Sequence, residues 1–301
     1  MRHSNEGYQM TLFDIPAQEH VVNVASVPQR SPFRYPGGKT WLVPRIRQWL
    51  TSLVKPPSLL VEPFAGGGIV GLTVAFEGLA DHVVLVELDK QIAAVWQTIL
   101  GGDAEWLAQR ILEFNLTSRN VKDILSSDAG DIREEAFRTI LKNRTYHGGI
   151  LAPGSSLIKN GENGKGIKSR WYPETLAKRI KAIGRLRDRF TFICGDGIEV
   201  IRQHSRRRHV AFFIDPPYTA GGVNSKRAGK RLYTHHEIDH ELLFATAERV
   251  AGDVLLTYDD SPDVRDLADR YSLVVKPVAM KNTHHAKMTE LLISRNLDWL
   301  R

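Results

Sequence analysis

Asp215, Pro216, Pro217 and Tyr218 follow the apolar run VAFFI directly, so an acid, a rigid corner and an aromatic ring close a buried strand. Such a set suits work on a conjugated amine such as adenine N6. Its lone pair is delocalised into the ring, which makes it a poor nucleophile. Two acceptors aimed at its N–H bonds draw the nitrogen toward tetrahedral geometry, ready to attack a methyl group in line. The Asp215 carboxylate and the Pro216 carbonyl can form that pair, the prolines fix the backbone between them, and Tyr218 can stack on the base. A duplex base must first be extruded, at a cost of a few kcal/mol. The bland alternative is a strand-ending turn, since Asp-Pro is a turn signal.

A second constellation lies upstream. LLVEPFAGGGIVGL reads as a strand that ends in glycines and restarts as a helix. Glycines there admit a ligand close to the backbone, and the helix N-terminus favours negative groups. VVLVELDK follows, with Glu87 at the end of the next strand, where an acid hydrogen-bonds ribose hydroxyls in nucleotide-binding sheets. The register is not G-x-G-x-x-G; EPFAGGG resembles motif I of S-adenosylmethionine-dependent methyltransferases.

These stretches need a frame. FTFICGD, HVAFFID, DVLLTYDD, YSLVVKPV and MTELLISRN read as further strands. Continuous apolar runs alternating with helical segments predict an α/β fold, with a mostly parallel sheet covered on both faces. The short spacing of the last two strands permits a C-terminal antiparallel hairpin. Cys194 is expected to be a buried strand residue. Residues 1 to 30 are polar and patternless and read as a mobile tail. Between 101 and 189 helical patterns flank the loop PGSSLIKNGENGKGIKSRW, which suggests a small helical insert. That leaves 31 to 100 and 190 to 301 for the sheet domain.

The 301 residues, 42% hydrophobic, can bury a sizeable core. No apolar run has the roughly 18 residues of a membrane span, and the N-terminal residues lack the apolar region of a secretory leader. The lone cysteine excludes an internal disulfide and multi-cysteine metal sites, so a reducing cytoplasm is the expected setting. A formal charge of +7 suits a polyanion, with nucleic acid foremost. His235, His236, His240, His284 and His285 lack an acid–cysteine shell, and no metal site is expected.

With these residues assembled, the chain resembles the Dam-like (D12 class) DNA adenine-N6 methyltransferases over about residues 31 to 296. FRYPGGK, VEPFAGGG, CGDG and DPPY stand in that family's order. The resemblance implies a Rossmann-like S-adenosylmethionine-dependent methyltransferase sheet with an inserted target-recognition domain, acting on double-stranded DNA. It implies that Tyr35, Lys39, Phe64, Glu87, Asp196 and Asp215 line the S-adenosylmethionine pocket, and that Asp215, Pro216 and Tyr218 address the adenine. Family members often carry aspartate where Glu87 stands.

The family's GATC readers carry a stretch resembling N-R-x-x-Y-N-G-L-x-R inside the insert. This chain has NRTYHGGILA, with Gly148 in place of the asparagine and Ala152 in place of the last arginine. Arginine forks onto guanine O6 and N7, worth about 1–3 kcal/mol of discrimination, and alanine cannot. GATC specificity is therefore not expected. Arg144, Tyr146, Lys159, Lys165, Lys168 and Arg170 are candidate DNA contacts. So are Lys226, Arg227, Lys230 and Arg231 in GGVNSKRAGKRLY, a loop suited to order over phosphates. Other readings are an RNA-adenine enzyme, a cytosine-N4 enzyme (which usually has serine in place of Asp215), a protein-glutamine enzyme, and an inactive DNA-binding regulator. Finally, QMTLF places Gln9, Met10, Leu12 and Phe13 in the polar tail and resembles the peptide by which bacterial proteins dock on the replicative sliding clamp.

Overall fold

The computed structural model describes residues 24–35, 37–161, 164–218, 237–281 and 287–300. The tail residues Gln9, Met10, Leu12 and Phe13 lie outside these ranges, as do Lys226, Arg227, Lys230, Arg231, His235, His236, His284 and His285.

Strands β1 (Leu59–Glu62), β2 (His82–Glu87), β3 (Phe190–Cys194), β4 (Val210–Ile214), β5 (Asp253–Asp259), β6 (Val274–Lys281) and β7 (Lys287–Ser294) form one sheet in the order β3-β2-β1-β4-β5-β7-β6. The first five pair in parallel. β7 runs antiparallel between β5 and β6. The expected parallel sheet with a C-terminal antiparallel pair is thus present.

Strand side chains alternate between the sheet faces, and both faces are covered, which is why these runs are continuously apolar. Leu60, Leu85 and Phe213 face a core that includes helices α1 (Val43–Ser52), α2 (Ile69–Glu77) and α3 (Lys90–Thr98). Val61, Val86, Phe212 and Ile214 face α8 (Gly197–His204), α9 (His240–Glu248) and α10 (Pro262–Arg270). Between α3 and α8 run α4 (Ala104–Glu113), α5 (Ser118–Ser126), α6 (Ile132–Thr145) and α7 (Pro173–Gly184). Their buried residues Leu107, Phe137, Ile140 and Ile180 join the same cluster as Trp96 of α3. No described helix is long and apolar enough to cross a membrane.

Cys194 departs from expectation and is exposed. It ends β3, the outermost strand of the sheet, which pairs only with β2 among the described strands.

The carboxyl ends of the parallel strands converge beside β1, which has β2 on one side and β4 on the other. A reversal of strand order of this kind opens a crevice in which α/β sheets bind ligands.

Candidate active site

The glycine loop is held from three sides. Ala65 donates its N–H to the Val86 carbonyl (2.9 Å). Trp96 Nε1 donates to the Gly66 carbonyl (3.0 Å), and the Ser31 hydroxyl donates to the Gly67 carbonyl (2.5 Å). Gly66 has φ of 47°, and a Cβ there would stand 2.6 Å from the Tyr35 ring. Glycine is therefore needed for Tyr35 to lie on the loop. A Cβ at Gly71 would meet Glu62 Oε2 at 2.6 Å, so only glycine lets α2 settle onto β1.

Glu87 ends β2 and binds backbone. Oε2 accepts from Gly66 N–H (2.9 Å), and Oε1 from Leu88 (2.8 Å) and Asp89 (2.9 Å). Burial pushes its pKa up to about 7, against the pull of those bonds. Three bonds leave acceptor capacity on a carboxylate with about four lone-pair sites. Just past the end of the adjacent strand β3, Asp196 is exposed, and Oδ1 caps α8 by accepting from Ile198 (2.7 Å) and Glu199 (3.2 Å). Phe64 is half-buried against the core beneath α8.

The DPPY corner sits at the end of β4, with Pro216 buried. Asp215 Oδ1 collects three donors: the Thr257 hydroxyl (2.7 Å), the Tyr218 hydroxyl (3.0 Å) and the Lys39 ammonium (3.1 Å). No described donor reaches Oδ2. Lys39 is 3% exposed, also donates to the Gly37 carbonyl (2.7 Å), and lies 3.5 Å from Glu290 Oε2. Burial alone would lower its pKa, but the Asp215 and Glu290 charges raise it, so it stays a cation. The Tyr218 ring stacks on Tyr258, with centroids 5.7 Å apart and planes at 21°. Burial first, then the two carboxylates, holds its hydroxyl well above the ordinary tyrosine range, so it remains a donor.

Three polar residues at this site were missed by the sequence reading. Thr257 is a β5 residue bound to Asp215. Glu290 lies on β7, is 7% exposed, and accepts from the Tyr218 hydroxyl at 3.1 Å. Glu62, in VEPFAGGG, is 3% exposed and accepts from Gly71 N–H (2.7 Å). Burial pushes Glu62 up to about 8; its bond to Gly71 opposes that and the charge of Asp215 adds to it. Glu62 closes the apolar run LLV and Glu290 opens the run LLI, and an acid at the border of an apolar strand run was the available signal.

Arg144, expected at the DNA surface, is buried instead. Its guanidinium donates to the Pro32 carbonyl, while burial and the charges of Arg179 and Arg34 disfavour its charged form. Its neighbour Asn143 is fully buried. Its Oδ1 accepts from Arg34 N–H (2.9 Å), and Nδ2 donates to the Arg34 (2.9 Å) and Gly149 (2.7 Å) carbonyls. Arg179 of α7 adds a bond to the Ser31 carbonyl (3.0 Å). Asn143, Arg144 and Arg179 therefore fasten residues 31–34, just before Tyr35, to the helical segment.

Asn143→Ala is expected to lower unfolding free energy by roughly 3 kcal/mol, because it strands buried backbone groups costing about 1–3 kcal/mol each. Urea unfolding measures this, and a change below about 0.5 kcal/mol would refute the fastening role.

Lys159, Lys165 and Lys168 are exposed, while Arg170 and Tyr146 are half-buried. Tyr146 forms an isolated antiparallel bridge with Leu157. Ala152 is 1% exposed and lines a cavity of about 280 Å³ with Lys142, Thr139 and Tyr146. His240 Nδ1 lies 2.9 Å from the Tyr258 hydroxyl.

A family model described as D12 class N6 adenine-specific DNA methyltransferase matches residues 35–282. No curated protein matches. Among solved structures, a SAM-dependent methyltransferase from Agrobacterium tumefaciens is 12% identical with a TM-score of 0.39; the match covers 85% of this chain and 60% of that one. A putative RNA methyltransferase from Pyrococcus horikoshii is 11% identical with a TM-score of 0.38, covering 88% and 87% respectively. An rRNA methyltransferase from Streptomyces viridochromogenes is 14% identical with a TM-score of 0.37, covering 87% of each.

Proposed function

Because the chain belongs to the D12 class of N6 adenine-specific DNA methyltransferases, we propose that Asp215, Pro216 and Tyr218 present an extruded adenine to the methyl donor in the crevice beside β1. The enzyme methylates adenine N6 in DNA and uses S-adenosylmethionine.

The single observation that carries this site assignment is the division of labour on Asp215. Oδ1 takes Lys39, Tyr218 and Thr257, and no described donor reaches Oδ2. Oδ1 is thereby fixed in place, and Oδ2 is left to accept an amine N–H. The Pro216 carbonyl is the second acceptor, and Tyr218 supplies an aromatic wall for the base. Drawing both N–H bonds away from the ring plane returns the lone pair to nitrogen.

The donor set fits the cofactor. Tyr35 lies directly on the glycine loop, which places its ring at the expected cofactor crevice, and Glu87 keeps acceptor capacity for ribose hydroxyls at the neighbouring strand end. Asp196 uses Oδ1 for its cap, which leaves Oδ2 for an adenine amine. Phe64 supplies an apolar wall, and Lys39 holds Asp215 at the methionine end. When bound, S-adenosylmethionine supplies an electrophilic methyl on a sulfonium.

We assign 31 to 100 and 190 to 301 to catalysis, 101 to 189 to target recognition and 1 to 30 to a tail. Exposed Lys159, Lys165 and Lys168 support phosphate contact by the insert, joined by Tyr146, Arg170 and the cations at 226, 227, 230 and 231. Digesting methylated DNA to nucleosides is expected to yield N6-methyladenine; N4-methylcytosine would overturn the reading. Single-molecule sequencing is expected to find methylation outside GATC, since Ala152 cannot fork onto guanine. Methylation confined to GATC would refute that.

The single cysteine and the DNA substrate support a cytoplasmic setting. The QMTLF tail supports docking on a bacterial sliding clamp, which would raise enzyme concentration at new DNA. Fluorescence titration of residues 1–30 with clamp is expected to show binding that Leu12→Ala/Phe13→Ala removes; equal binding by both peptides would end the idea.

A further inference from the structure

We propose that Glu290 is a positioning residue for methyl transfer, which sets through Tyr218 and Lys39 how strongly Asp215 accepts the adenine amine. This rests on the assignment of Asp215 as the amine acceptor.

Glu290 is anomalous where it stands. The residues that follow it on β7, Leu291, Leu292 and Ile293, are apolar and fully buried. A carboxylate buried among them is costly unless it is paired. Its partners belong to the active site. Oε2 accepts from the Tyr218 hydroxyl at 3.1 Å and lies 3.5 Å from Lys39 Nζ. Both donors also reach Asp215 Oδ1, at 3.0 and 3.1 Å.

Among the described residues, the groups around Glu290 come from the turn before α1, the end of β4, β5 and β6. Lys39 comes from the turn before α1, and Asp215 and Tyr218 from the end of β4. Asp259 of β5 stands directly opposite in the strand register, and Val278 of β6 stands on the other side. Burial, followed by the Asp215 charge, outweighs Lys39 and Tyr218 and lifts Glu290 to about 7.

One phenolic hydrogen serves two carboxylates, because a hydroxyl donates once. When Glu290 is charged, it takes a share of that hydrogen and of the Lys39 ammonium. Asp215 then keeps more negative charge for the amine. When Glu290 is protonated, both donors turn to Asp215 and weaken it as an acceptor. In the step itself the N6 lone pair forms the new C–N bond. The methyl–sulfur bond breaks with its electron pair left on sulfur, and the methylated nitrogen, now positive, releases one proton past Asp215 to solvent. A better acceptor at Asp215 favours both events, so transfer quickens as Glu290 ionises.

The test is single-turnover methylation of duplex DNA by full-length enzyme from pH 5.5 to 9. Wild type is expected to gain rate through a limb in the neutral range. Glu290→Gln keeps the shape and an acceptor oxygen. It is expected to lose that limb and to run about tenfold slower at pH 8.5, a factor worth about 1.4 kcal/mol. Affinities for DNA and S-adenosylmethionine should change far less. Should Glu290→Gln not fold, Tyr218→Phe severs the same link from the other side and is expected to flatten the limb as well. A limb kept in the variants, or a wild-type profile without one, overturns the proposal. Asp215→Ala run in parallel separates the two failures. An active Asp215→Ala enzyme sinks the site assignment, whereas a dead one beside an unaltered Glu290→Gln enzyme sinks only the role of Glu290.

Discussion

Asp215→Ala lowers single-turnover methyl transfer by at least ~1000-fold, the scale expected when a preorganised partner of the reacting group is lost. Oδ2 disappears as amine acceptor, and Thr257, Tyr218 and Lys39 lose the oxygen on which they converge. The fold survives, because Lys39 retains Glu290 at 3.5 Å and the Gly37 carbonyl at 2.7 Å. Asp215→Asn keeps the shape but turns one acceptor into a donor, so it is expected to be nearly as inactive. Transfer of labelled methyl groups to duplex DNA measures both. A rate near wild type in the alanine variant, with an unchanged unfolding transition, would eliminate the acceptor mechanism.

Lys39→Met removes the one cation that the described residues place between Asp215 and Glu290 and is expected to harm both stability and activity. Asp215 and Glu290 would be left without a counter-charge among the described residues. Breaking a buried ion pair in this way costs about 3–5 kcal/mol. The expected result is a clear fall in urea midpoint together with at least ~100-fold slower transfer, because Glu290 then binds a proton and Tyr218 reorients. Calorimetry is expected to show weaker S-adenosylmethionine binding as well. The chemical half of this prediction fails if transfer in the folded variant stays within about threefold of wild type.

Local pattern carried the strand-rich frame, the glycine loop and the DPPY corner. Each depends on residues adjacent in the chain: a run of β-formers, glycines at a sharp turn, two prolines after an acid. The exposed lysines at 159, 165 and 168 were legible for a similar reason, since a polar glycine-rich loop has little to bury itself under. Where a side chain's role depends on a distant segment, the pattern misled. Arg144 looks like a recognition residue until residues 31–34 dock against it. Cys194 looks like a core residue until its strand proves to be the sheet edge.

By itself the sequence determined the class of sheet, the two chemical stretches and the family, because periodicity and turn chemistry are local and contiguous motifs survive as strings. Only the tertiary structure decided which side chains share a charge. Lys39 precedes Asp215 by most of the catalytic fold, and Glu290 reaches Tyr218 across 72 residues because β7 inserts between β5 and β6. Burial makes those partnerships consequential. In water the same lysine, acids and phenol would be screened and independent, whereas in the packed end of the sheet each one sets the protonation and direction of the others.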